Sequence, residues 1–403
     1  MVKVSEIKDR ESLEEWLLDR PEDETKKFAI SIAHRAAMRV LPVYWEWVER
    51  SELAKKHELT ALPVLLCNFT SGIACKMPTP EIRDAADLAF SFATTDTSVV
   101  SADIASAADE SDTGVGSSAK AAIAAAETVY ETGIHVATIA SAADIASDSV
   151  AEVVSCDSTS AFWQQIRTDC AALETEDMVL AAPLWNGDEN PFQTEWEAVR
   201  NSLPVATSAR TEETARGALP VDWSFWINWY QDALEGREPD WDMLYEIALI
   251  PDEDWQKGPE HINNEVIAGI VEKYRLRRDV QALRKELAAV HQTATAAPMG
   301  HNNPPEGIEA EAEVVTQTEI IWAALEEAEE ELSKPEPSPS VLKRVGTVIL
   351  RAIAEVGKYG AKLGDVGLKA TAATVGGGLG AYLISKGPEI QSIAERISEF
   401  VWP

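Results

Sequence analysis

Residues Val221–Tyr274 read VDWSFWINWYQDALEGREPDWDMLYEIALIPDEDWQKGPEHINNEVIAGIVEKY, and this stretch holds five of the chain's 13 tryptophans: Trp223, Trp226, Trp229, Trp241 and Trp255. Trp223, Trp226 and Tyr230 fall at i, i+3 and i+7, and Trp226 and Trp229 are again three apart. That spacing predicts a helix with aromatics on one face, starting near Asp222, a good N-cap type. Gly236 reads as its C-cap and Pro239 as the stop beyond it. Trp241, Leu244, Tyr245, Ala248 and Leu249 predict a second amphipathic helix, ended by Pro251. Asp252, Glu253 and Asp254 then suit the first turn of another helix. Gly258-Pro259 opens a longer one, with Ile262, Val266, Ile270 and Tyr274 on one side. Beyond it, Leu276, Val280, Leu283, Leu287 and Val290 keep a 4-3-4-3 rhythm, a two-heptad seam. The fold class follows: all-α. Trp223, Trp226, Trp229, Tyr230, Trp241 and Trp255 read as a structural aromatic cluster rather than a carbohydrate platform or cation cage, because their spacing is helical.

Two strings within the block carry a resemblance. W-x2-W-Y-x3-L-x-G (Trp226, Trp229, Tyr230, Leu234, Gly236) and IALIPDEDWQKGPEHIN (Ile247–Asn263) resemble uncharacterised Trp-rich helical proteins of alphaproteobacterial chromosomes and mobile elements. The Ala-rich region before them and MGHNNPPE at Met299–Glu306 fit the same group. The resemblance covers about half the chain and implies no activity.

A length of 403 residues allows two or three domains. The formal charge of −33 argues against nucleic acid as a general partner, since phosphate neutralisation needs Lys/Arg patches. Residues 341–403 carry +3, which leaves −36 on the rest, and such asymmetry between parts is informative. Cys67, Cys75, Cys156 and Cys170 match no CxxC metal or redox spacing and read as reduced, mostly buried thiols of a cytoplasmic protein. The charged start MVKVSEIKDRESLEEW lacks an apolar core, so no signal peptide is expected.

Composition divides the chain into five segments. Residues 1–92 form an N-terminal helical region. Ser12-Leu-Glu-Glu15 reads as a capping box, and the face Phe28, Ile32, Ala36, Val40 belongs to a helix that Pro42 kinks or ends. Ala61–Phe69 is apolar apart from Asn68, hence a buried helix or strand, between which the neighbouring segments favour helix, and Thr79-Pro80-Glu81 opens another helix. Residues 93–160 read as an Ala/Ser/Asp-rich helical region with a loose repeat, Ser101–Asp109 and Ser141–Ser149, interrupted by a loop at Gly114–Ser118, with a partly disordered region as the alternative. Residues 161–292 are the Trp-rich helical region; Phe162, Trp163, Ile166 and Cys170 share a helix, and Pro183–Pro191 is a turn-rich connector. Residues 293–340 read as an outer, flexible Pro/Glu-rich linker with an acidic helix near Trp322. Residues 341–403 form a Gly-rich helical tail. It carries the apolar sets Val345, Ile349, Ala352, Ile353, Val356 and Ile390, Ile393, Ile397, Val401, and it ends in Trp402-Pro403.

The search for chemistry finds no P-loop, HExxH, GxSxG or EF-hand loop. Gly376-x-Gly378-x2-Ala381 imitates a dinucleotide fingerprint, but only 22 residues follow and no βαβ unit fits. His261 and Glu265, four apart, read as a solvated helix face rather than metal ligands. Asp252, Glu253 and Asp254 read as first-turn acids rather than catalytic carboxylates, and His34 and His135 as core histidines. No catalytic residue, metal or cofactor is therefore assigned. In the tail, Gly360-x3-Gly364 and Gly376-x3-Gly380 are small-xxx-small pairs, and Leu368–Ile384 is a 17-residue run with one charge, Lys369. With Trp402 they mark a candidate membrane- or self-association element. The sequence thus points to a non-enzymatic helical interaction protein, cytoplasmic or peripheral to the inner membrane. Its expected partner is a protein, a second copy or a membrane surface. A membrane-active effector with an inserting, oligomerising tail and an enzyme of unrecognised class stay open. So does a tail that is simply a soluble hairpin packed on the body.

Overall fold

The computed structural model describes residues 2–402 apart from 108–112, 131–135, 155, 176–179, 188–189, 204–219, 297–304 and 366–378. The protein is all-α, with no strand among the described residues. It divides into two compact units, Met1–Ile267 and Ala268–Pro403, so a unit boundary falls inside the 161–292 segment.

The first unit holds α1 (Arg10–Leu18), α2 (Glu22–Arg50), α3 (Glu52–Lys56), α4 (Leu62–Lys76), α5 (Pro80–Ala107), α6 (Thr113–Tyr130) and α7 (Val136–Val153). It continues with α8 (Cys156–Leu173), α9 (Gln193–Ser202), α10 (Ser224–Glu235), α11 (Trp241–Ala248), α12 (Asp252–Trp255), α13 (Pro259–His261) and a π-helical turn, Ile262–Ile267. Helix α2 is central: it packs on α4, α6, α7, α8 and α9. Its face Phe28, Ile32, Ala36, Val40 is buried as the spacing requires. The helix also runs through Pro42 rather than ending there. Packing from several sides carries it past the missing N–H, and the Ser118 hydroxyl of α6 donates to the Val40 carbonyl at 2.6 Å beside the break.

Two other local expectations shift. The first cap is Asp9, not Ser12: Asp9 Oδ1 accepts from the Ser12 N–H at 2.9 Å while Ser12 Oγ accepts from the Asp9 N–H at 3.2 Å. Gly114–Ser118 is not a loop but the start of α6. There a Cβ on Gly114 would lie 2.5 Å from Val153 Cγ2, so the glycine serves the crossing of α6 with α7. The small residues of both helices make that approach possible, and Ala119, Ala122, Ala126, Ala142, Ala143 and Ala146 are all buried.

The second unit holds α14 (Ala268–Ala296), α15 (Pro305–Leu332), α16 (Pro339–Asp365) and α17 (Leu379–Glu399). The four helices share one core. The heptad positions Leu276, Val280, Leu283 and Leu287 of α14 meet Ile321, Leu325, Leu332 of α15, Leu342, Val345, Ile349 of α16 and Ile390, Ile393, Ile397 of α17. The acidic stretch placed in an outer linker is therefore a core helix. Its inner stripe is Ile321, Ala324, Leu325, Ala328, Leu332, two of them alanines, while Ile320 faces outward. The turn after it, at Lys334–Ser338, is docked as well: Glu331 accepts from the Ser338 N–H at 2.7 Å.

Candidate functional site

The aromatic block is built on α10. Gly236 closes that helix in the left-handed region at φ 67°, where a Cβ would also meet the Pro183 nitrogen at 2.5 Å. Trp226 is fully buried and stands edge-on to Phe69 of α4 at 5.4 Å and to Trp229 at 5.9 Å. Tyr230 lies 4.5 Å from Trp196 of α9, which in turn meets Trp45 of α2, and Trp45 meets Trp223. Trp226 donates to Asn263, Trp196 to Gln231 and Trp255 to the Ile250 carbonyl. Trp229 and Trp241 are half-buried, and Leu249, expected inside, is exposed at the end of α11. The N–H groups of Trp196, Trp226 and Trp255 are satisfied in this way, whereas the Trp45 and Trp241 N–H groups and the Tyr230 hydroxyl are buried with no hydrogen-bond partner among the described residues.

The sequence reading missed a buried ionic centre in the same unit. Arg35 and Arg39, four apart on α2, flank Asp169 of α8. Arg35 Nε donates to Asp169 Oδ1 at 2.9 Å, and its other nitrogens donate to the Ala182 and Pro183 carbonyls at 2.9 and 2.7 Å. Arg39 Nε donates to the Leu184 carbonyl at 2.7 Å, and its Nη1 sits 2.7 Å from Asp169 Oδ2, a close ion contact outside hydrogen-bond alignment. Two arginines thus bolt the 182–184 connector onto α2, and the carboxylate between them offsets part of their charge. The available signal was Arg35 and Arg39 at helical spacing among alanines; nothing in the sequence pointed to Asp169, 134 residues away.

Next to it, His34 is buried and lies 3.1 Å from Ser71 Oγ. Burial, then the Arg35 charge, lowers its pKa to about 3, so the ring is neutral. His135 lies outside the described residues. The thiols of Cys67, Cys75 and Cys170 are buried and pushed up by that burial, Cys75 to about 12. His261 is clasped by Glu265 at 2.8 Å and Asp254 at 3.0 Å, a local staple across α12 and α13. Among the described residues no group of three or more His, Cys, Asp or Glu is placed to hold a metal ion.

In the second unit, Gly360 and Gly364 lie in α16 and Gly380 in α17, whereas Gly376 is outside the described residues. The close crossing that the described residues show is at Gly346, where a Cβ would stand 2.5 Å from the Ala394 carbonyl oxygen and 2.8 Å from Ser398 Cβ. Helix α16 is sharply two-faced. Leu342, Val345, Ile349, Ala352 and Val356 are buried, while Lys343, Arg344, Arg351 and Lys358 are exposed. Ion pairs rim the unit. Arg396 of α17 reaches Glu272 at 2.8 Å and Asp279 at 2.7 Å on α14. Lys386 lies 3.3 Å from Glu286, Arg284 pairs with Glu326 and Glu329, and Arg344 with Glu327. Hydrogen bonds from Tyr382 and Lys386 hold the Glu286 carboxyl below its ordinary value. Trp402 stacks on Phe400 and covers Lys273, with 4.7 Å from ammonium to ring centre. No helix among the described residues is long and apolar enough to cross a membrane. No protein-family model, curated protein or solved structure matches this chain.

Proposed function

We propose that the protein is a non-enzymatic helical interaction protein whose C-terminal pair, α16–α17, engages an anionic lipid surface. The observation that carries this reading is α16 itself: one continuous apolar stripe opposite a face of Lys343, Arg344, Arg351 and Lys358, on a chain whose net charge is −33. Basic amphipathic helices of this kind lie in the plane of an interface, with lipid tails taking the apolar face and anionic headgroups the cations. In the folded unit that stripe is spent on the shared core with α14, α15 and α17. Engagement is then an exchange, in which acyl chains replace core side chains worth roughly 1.5–3 kcal/mol each. Such an exchange is close to balanced in apolar terms, so the polar contacts at the rim set its direction.

The test is co-sedimentation of the full chain with phosphatidylcholine vesicles, with and without phosphatidylglycerol, at low and moderate salt. Binding is expected only with the anionic vesicles and is expected to weaken with salt. A protein that stays in the supernatant under all conditions sinks the lipid reading. If its mass by light scattering then rises with concentration, self-association through the same pair replaces it.

A further inference from the structure

We infer that the last described residues, Phe400–Trp402, are a strap that holds α17 on α14 and controls release of the α16–α17 pair. The inference rests on the reading of that pair as the engaged element. Helix α17 ends at Glu399, and the chain beyond it leaves helical phase. Phe400 turns into the shared core, Val401 is 73% exposed, and Trp402 folds back onto Phe400 with ring centres 6.3 Å apart and planes 27° from parallel.

Under the Trp402 ring lies the Lys273 ammonium, on a side chain that is only 3% exposed. The same ammonium donates to the Lys334 and Pro335 carbonyls, at 3.4 and 3.5 Å, in the turn between α15 and α16. One cation therefore joins three parts of the unit: the start of α14, the turn that launches α16, and the stretch that follows α17. The turn is itself fixed by Glu331, which accepts from both Lys334 and the Ser338 N–H. One helical turn before the strap, Arg396 spans Glu272 and Asp279 of α14. The end of α17 is thus anchored through charge and ring contacts to a single helix.

A cation held under an indole and away from water is worth more than one at an exposed site. The strap lies at the surface, with Val401 in solvent between two seated rings. A contact that can be lifted without melting the four-helix core is suited to gate release of the pair.

The experiment is hydrogen exchange of the full chain, comparing wild type with Trp402→Ala, with Lys273→Met, which keeps the stem and removes the charge, and with Val401→Ser as a control. Peptides from α16 and α17 are expected to exchange about tenfold faster in the first two variants, with α14, α15 and first-unit peptides unchanged, as for a local opening. The control is expected to match wild type. Wild-type rates across α16 and α17 in both Trp402→Ala and Lys273→Met would overturn the strap. So would uniform acceleration of all four helices, which is melting rather than release. Vesicle binding by the same variants separates the two readings. Faster exchange with increased binding supports both, and faster exchange without it keeps the strap and sinks the lipid reading.

Discussion

The indole N–H of Trp226 donates to the side-chain oxygen of Asn263 at 2.9 Å, joining α10 to the π-helical turn 37 residues later. Both residues are buried, so the bond is shielded from water. Trp226→Ala removes the ring that Phe69, Phe225 and Trp229 all meet edge-on, and should cost about 3–5 kcal/mol. Trp226→Phe keeps much of that packing but leaves the Asn263 oxygen without its donor, for about 1–3 kcal/mol. The half-buried Trp229 should cost less than Trp226 when cut to alanine. Denaturant unfolding of the three variants checks the order, and a Trp226→Ala loss no larger than that of Trp229→Ala would contradict it.

Asp169 stands between two buried cations. Asp169→Ala leaves Arg35 and Arg39 facing each other without their counter-charge, and should destabilise the first unit by about 3–5 kcal/mol. Replacing all three residues by apolar ones should recover only part of that loss. The reason is specific: the carbonyls of Ala182, Pro183 and Leu184 would then lose their donors. A fully stable triple variant, measured by the same unfolding curve, would show that the connector does not need its arginine bolts.

Much of the fold was legible where one local rule acted alone. Gly236 was readable as a left-handed cap, and Leu276, Val280, Leu283, Leu287 as a seam, because both follow from backbone geometry and period. What stayed hidden needed partners far along the chain. The partner of Arg35 and Arg39 lies on another helix, and Ala324 and Ala328 count as core only once α15 is seen to pack. The end of the chain shows the limit of periodicity. Val401 follows Ile397 by four and reads as core, but α17 stops at Glu399, which turns Phe400 inward and Val401 outward. The basic face of α16 could be read from its residues, whereas Lys273 under Trp402 could not.

His34 gives the first unit a pH dependence. Its folded pKa of about 3 lies below the ordinary 6.5, so the unfolded chain takes up a proton that the folded one refuses. Stability is full above pH 6.5, falls as pH drops from 6.5 towards 3, and loses nothing more from this group below that. The slope in between approaches about 1.4 kcal/mol per pH unit. Glu49, Asp144 and Asp148, raised chiefly by burial, oppose it nearer the carboxylate range, so the decline is read most clearly just below pH 6.5. Unfolding free energies measured across that window should decline in wild type and stay level in His34→Gln. A level wild-type curve would mean that the ring reaches water.

Gly346 and Gly357 lie on the same helix and make a matched pair. Alanine improves intrinsic helix propensity at both by about 1 kcal/mol. At Gly357 nothing lies within 4 Å of the added Cβ, so that gain should be seen. At Gly346 the Cβ would meet the Ala394 carbonyl oxygen at 2.5 Å and the Ser398 nitrogen at 2.8 Å, both backbone atoms that cannot swing aside. Helices α16 and α17 must then separate, which should cost about 1–3 kcal/mol, as overpacking does elsewhere. The two substitutions should therefore shift the stability of the second unit in opposite directions, read by hydrogen exchange in α16. Shifts of the same sign and size would mean that α16 and α17 do not cross closely at Gly346.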